Sequence, residues 1–119
     1  MLWRVRDRST FVELRRRGRR VRAGYLTLTW VPRPEGTPPQ VAFAVGRAVG
    51  SAVVRNRVRR RLRSALGQRA GDLPAGAYLL GVAPEAASAS PEDLRSNVGS
   101  VIAALRHRAE GSAGEVGGS

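Results

Sequence analysis

The spacing of apolar residues changes period several times along this chain, and each change marks an element. Thr10 followed by Glu13 is a capping-box pattern that opens a short helix, with Gly18 as its stop. Phe11 and Leu14 share one face of that helix. From Val21 the period shortens. Tyr25 to Val31 alternates and is rich in β-formers, which predicts a strand, and Val41 to Val45 predicts a second one after a loop at Pro32–Pro39. Gly50-Ser51 opens a longer helix that runs to about Leu66, with Gly67 near its stop. Val54, Val58, Leu62, Ala65 and Leu66 form its apolar stripe. Ala77–Ala83 is nearly all apolar, which suits a strand buried on both faces with a parallel, helix-connected neighbour. Ser90-Pro91-Glu92-Asp93 starts a last helix, whose core face is Leu94, Val98, Val101, Ile102 and Leu105.

Helix, two or three strands, helix, strand, helix is an α+β order: one sheet with helices packed on it. The 119 residues fit one domain, expected over 1–109, with a disordered Gly/Ser-rich tail at 110–119. No apolar run approaches the roughly 18 residues of a membrane span, and the N-terminus has no apolar stretch of signal-peptide length. The expected compartment is the cytoplasm, with no membrane partner.

Charge changes the picture most. The net charge is +12, and all 21 basic residues are arginine. Residues 1–69 carry 18 arginines against three acids, or +15; residues 70–119 carry three against six, or −3. Such asymmetry in a small domain points to a polyanion as partner, and the planar guanidinium fork suits phosphate. Arginine crowds two places: Arg15-Arg16-Arg17 with Arg19-Arg20 around the first helix stop, and six arginines among residues 55–63. On a helix, Arg55, Arg59 and Arg63 align at i, i+4, i+8, where like charges repel by a few tenths of a kcal/mol per pair. No acid between Glu35 and Asp72 offsets them. An external anion is the natural counter-charge. A solvated helix face is the plain alternative.

Candidate chemistry is sparse. There is no cysteine, the one histidine is His107, and the nine acids are scattered. Nothing resembles a nucleophile with its base or a carboxylate cluster for metal. The expectation is no catalytic residue and no cofactor in the protein itself.

The stretch Ala52 to Arg63, preceded by Val49-Gly50 and containing Arg55-Asn56-Arg57, resembles the signature helix of the bacterial ribonuclease P protein component. A Phe-containing first helix ending in Gly18-Arg19-Arg20, a strand before a Val-Gly turn, and Ala83-Pro84 after the last strand agree. The resemblance covers roughly residues 8 to 106. It implies a sandwich of one four-stranded sheet with three helices and a left-handed β-α-β crossover through the signature helix. It also implies a subunit that joins the ribonuclease P catalytic RNA and helps remove the 5′ leader of precursor tRNA. Chemistry then belongs to the RNA with its Mg²⁺, and the protein is otherwise a monomer. Residues implied for RNA contact are Arg47, Arg55, Asn56, Arg57, Arg59, Arg60 and Arg63. Phe11, Arg15 and Phe43 are implied for a leader-binding cleft between the first helix and the sheet. Three positions depart from the usual pattern: Gly46-Arg47-Ala48 lacks the customary hydroxyl residue, Ala42 replaces a common glycine, and Arg15 stands where a second aromatic often occurs. The competing function is a general RNA-binding or ribosomal protein with no role in cleavage.

Overall fold

The computed structural model describes residues 3–109 in full; residues 1, 2 and 119 and the side chains of residues 110–118 lie outside the described residues, and with them the tail expected at 110–119. In chain order the elements are β1 (Trp3–Arg4), α1 (Arg8–Arg17), β2 (Arg19–Ala23), β3 (Leu26–Pro32), β4 (Gln40–Ala44), α2 (Ala52–Gly67), β5 (Gly76–Val82) and α3 (Pro91–Gly118). They form an α+β fold around one mixed sheet, ordered β1-β4-β5-β3-β2. The sheet has five strands rather than the expected four. The extra one is β1, two residues that pair parallel with the edge of β4. So short a segment has no period of its own. It is a strand because β4 offers an unpaired edge, with the Trp3 N–H donating to Pro39 O at 2.9 Å.

The strand predicted at Ala77–Ala83 becomes β5, flanked by parallel β4 and antiparallel β3. That central place explains its continuous apolar run. Alternation then divides the core between two faces. Leu26, Leu28 and Trp30 of β3, with Tyr78 and Leu80 of β5, join the main core with Val58, Leu62 and Leu66 of α2 and the whole predicted face of α3. Val31 and Ala77 point the other way and pack with Leu14 of α1. Burial of each of these large side chains contributes about 1.5–3 kcal/mol.

Helix starts follow side-chain caps. Ser51 Oγ accepts from the Val54 N–H at 3.3 Å, and Ser90 Oγ from the Asp93 N–H at 3.0 Å. At α1 the expected capping box is corrected. The helix begins at Arg8, nearer the N-terminus, and its cap is Asp7, which accepts from the Thr10 N–H at 3.0 Å. Thr10 is thus the third helical residue, and Glu13 turns away to Arg33. Gly18 does end the helix, its N–H returning to Leu14 O at 3.0 Å. A Cβ there would sit 2.3 Å from both Leu14 O and the Thr29 methyl, so only glycine lets α1 pass this close to β3. The β2–β3 hairpin turns at Gly24 (φ 56°), where Asn97 of α3 accepts from the Tyr25 N–H at 2.7 Å.

Candidate nucleic-acid interface

The edge of the sheet at β1 and β4 opens into a cleft of about 1110 Å³. Successive β4 residues Val41, Ala42 and Phe43 all line it, so the cleft wraps the sheet edge and reaches both faces. Phe11 of α1 closes one side. On the other, α2 contributes Arg59 and Arg63, one turn apart, and the Arg63 guanidinium lies 5.6 Å from the centre of the Phe43 ring. That distance suits a cation–π contact worth roughly 0.5–1 kcal/mol at an exposed site. The N-terminal segment completes the wall with Trp3, Arg4 and Arg6.

Three aromatic rings and four arginines thus face one space with a single carboxylate, Asp7. That carboxylate is already engaged. It accepts from Thr10 Oγ1 at 2.6 Å and Ser9 Oγ at 2.7 Å as well as from the helix N–H. The Thr10 hydroxyl first, then that of Ser9, holds its pKa down to about 2. Asp7 is therefore an anionic cap and no proton acceptor at neutral pH. Rings that stack and guanidiniums that pair with phosphate are what a single nucleic-acid strand needs.

The residues implied for binding divide into groups. Phe11, Phe43, Arg59 and Arg63 come together in the cleft. Asn56 and Arg60 lie on the exposed side of α2, where Asn56 Oδ1 accepts from Arg59 at 2.9 Å and steadies it. Arg55 and Arg57 are half-buried. Arg57 reaches the Ala87 carbonyl at 3.5 Å, and the Nε of each is shielded without an acceptor. Arg47 is exposed in the short 3-10 turn Arg47–Val49, and Arg15 is exposed on α1; neither lines the cleft. Trp3, Arg4 and Arg6 are the cleft residues that sequence reasoning missed. The signal was present as Trp3-Arg4-Val5-Arg6, an aromatic interleaved with arginine, but nothing local places it beside β4.

Among the described residues no group of three or more His, Cys, Asp or Glu side chains gathers. His107 is exposed on α3. Tyr78 is buried, which raises its pKa, and its hydroxyl donates to the Pro74 carbonyl. No described helix is long and apolar enough to cross a membrane.

Comparison with known proteins agrees with this geometry. No curated protein matches the chain in sequence. Among solved structures, the RNase P protein of Staphylococcus aureus superposes with a TM-score of 0.79 at 16% identity, over 87% of this chain and 94% of that one. The RNase P protein of Thermotoga maritima, in complex with 1-(4-fluorophenyl)-2-thiourea, gives 0.74 at 17% identity, over 83% and 96%. At such identities the likeness is one of fold. The sequence itself matches the family model of ribonuclease P over residues 2–106, nearly the whole described chain. That match, a fold shared with RNase P proteins and an arginine-rich α2 meet in one conclusion: the chain belongs to the ribonuclease P protein family.

Proposed function

We propose that this protein, as the protein subunit of a ribonucleoprotein endoribonuclease, holds the 5′ leader of precursor tRNA in the cleft and rests the exposed side of α2 on the catalytic RNA. The observation that carries this reading is the cleft itself, where Phe11, Phe43 and Trp3 face the arginines that α2 presents. Leader bases stack on the rings, each worth about 1–3 kcal/mol. Arg59 and Arg63 sit at the boundary, within reach of a strand in the cleft or of RNA lying over α2. Asn56 and Arg60 take the catalytic RNA, and Arg47 extends that contact along the turn before α2. Arg55 and Arg57 support it from the flanks of α2, and Arg15 meets the leader where it leaves the cleft along α1.

The division of labour follows from charge. Catalytic RNA and precursor tRNA are both polyanions, and bringing them together condenses negative charge. A +12 protein between them lowers that cost by releasing counterions, a role otherwise filled by Mg²⁺. The Mg²⁺ that assists cleavage belongs to the RNA in this reading, and the protein brings no cofactor of its own. The β4-α2-β5 connection crosses left-handed, as the family resemblance implies, and the particle works in the cytoplasm with one copy of the protein.

The test is 5′-leader cleavage of a precursor tRNA by a bacterial ribonuclease P RNA at low Mg²⁺, with and without the protein. Strong stimulation, with no cleavage by protein alone, is the expected result. Tight, salt-sensitive RNA binding without stimulation would move the protein to the general RNA-binding class.

A further inference from the structure

Apart from Arg15, the cleft and α2 leave the other arginine-rich segment unused. Residues 15–22 hold six arginines in eight positions, as many as α2 carries, and no acid occurs between Glu13 and Glu35. Glu13 itself is held by Arg33, at 2.8 Å and 3.1 Å to its two oxygens. The segment forms the end of α1 and most of β2, and β2 is the edge strand opposite β1 in the sheet order. Arg16, Arg17, Arg20 and Arg22 are all exposed. Val21 faces the core, so Arg20 and Arg22 project from the opposite face, the one on which α1 packs. α3 adds a further cation at this edge: the Arg108 guanidinium donates to the Arg20 carbonyl at 2.5 Å.

Two ordinary causes account for parts of this. Charged side chains on an edge strand discourage sheet-to-sheet pairing. Basic residues in a last helical turn favour the helix dipole. Each concerns a different element, and neither explains why a third, α3, supplies another guanidinium at the same edge.

We propose that Arg16, Arg17, Arg20, Arg22 and Arg108 form a second RNA-contacting surface, on the sheet edge opposite the cleft, that takes the phosphate backbone of RNA. β2 is three strand spacings from β4, roughly 14 Å, which exceeds the Debye length of about 10 Å at 0.1 M salt. The two basic surfaces therefore act as separate electrostatic footprints and engage different RNA segments. The protein is a bridge with RNA on two sides. The segment comes either from the catalytic RNA or from the precursor tRNA, since both present the same phosphates.

The experiment is a salt titration of the reconstituted holoenzyme carrying Arg16→Gln, Arg17→Gln, Arg20→Gln and Arg22→Gln together. Every arginine–phosphate pair removed lowers the slope of log affinity against log salt by about 0.7–0.9, so the slope should fall by about 3. A fall in the slope for binding ribonuclease P RNA assigns the surface to that RNA. A fall only in the slope for holoenzyme binding precursor tRNA assigns it to the substrate. Unchanged slopes in both, with an unchanged circular dichroism spectrum and melting midpoint, would overturn the proposal.

A second measurement does not depend on the quadruple variant folding. The chain has no cysteine, so Arg22→Cys gives a unique thiol for an iron chelate that generates hydroxyl radicals. RNA cleavage from Arg22→Cys well above that from Glu92→Cys at the start of α3 is expected, and equal cleavage from both would overturn the proposal. Neither result depends on whether the parent protein stimulates leader cleavage, so failure here is separable from failure of the function proposed above.

Discussion

Asp7 and Phe11 lie four residues apart and do different work. Asp7 caps α1 as an anion, with a pKa of about 2 against an ordinary 3.8, set first by the Thr10 hydroxyl. A carboxylate depressed in the folded state adds stability that is present above its unfolded pKa and lost as pH falls through the folded one. Asp7→Asn should therefore melt a few degrees below the parent at neutral pH, and the gap should close between about pH 4 and pH 2. Thermal melts across that range check it; a gap independent of pH would mean that charge is not what the cap supplies. Phe11 lines the cleft and is only half-buried, outside both core clusters. Phe11→Ala should leave the melting midpoint nearly unchanged and weaken holoenzyme binding of precursor tRNA about 5–150-fold, the equivalent of roughly 1–3 kcal/mol of stacking. Mature tRNA, which has no leader, should bind as before. Equal weakening for both would place Phe11 against the tRNA body instead.

At the scale of elements, α2 serves the core along one stripe and faces outward along the opposite one, and the two can be separated by mutation. Leu62 is fully buried, so Leu62→Ala should cost about 2–5 kcal/mol in chemical denaturation. Arg60 is exposed, so Arg60→Ala should change stability by no more than about 0.5 kcal/mol while weakening assembly with the catalytic RNA. A large stability loss from Arg60→Ala would make that side of α2 structural. Both stripes were legible in the sequence because helical periodicity separates Val58, Leu62, Ala65 and Leu66 from the arginines between them. β5 was legible for a similar reason: an unbroken apolar run has to be covered on both faces. The cap of α1 was not, because Asp7–Thr10 and Thr10–Glu13 are overlapping patterns three residues apart, and only Arg33, twenty residues on, draws Glu13 away. β1 was illegible, since Trp3-Arg4 becomes a strand only where β4 leaves an edge open. With it went half of the cleft. Phe11 and Phe43 could be picked out as aromatics, but their meeting around a sheet edge is a tertiary fact.

For the whole molecule the governing quantity is the uneven charge, +15 in residues 1–69 against −3 in the remainder. Folding does not gather these arginines into one patch. It places Arg59 and Arg63 of α2 with Arg4 and Arg6 at the β1–β4 edge, and Arg19, Arg20 and Arg22 on β2, the edge strand at the other end of the sheet. A protein that met RNA on one side would engage only part of this charge, so its salt response would fall well short of what the net charge suggests. If six to ten phosphates are engaged across both edges, affinity for the catalytic RNA should drop about 10³–10⁵-fold between 50 and 200 mM salt. Filter binding or fluorescence titration over that range measures the slope directly. A flat response would remove phosphate pairing as the basis of assembly and leave shape and stacking to explain it. A steep response whose slope Arg60→Ala reduces by about 0.7–0.9, the value of a single phosphate pair, would show the charges acting as countable pairs rather than as a diffuse cloud.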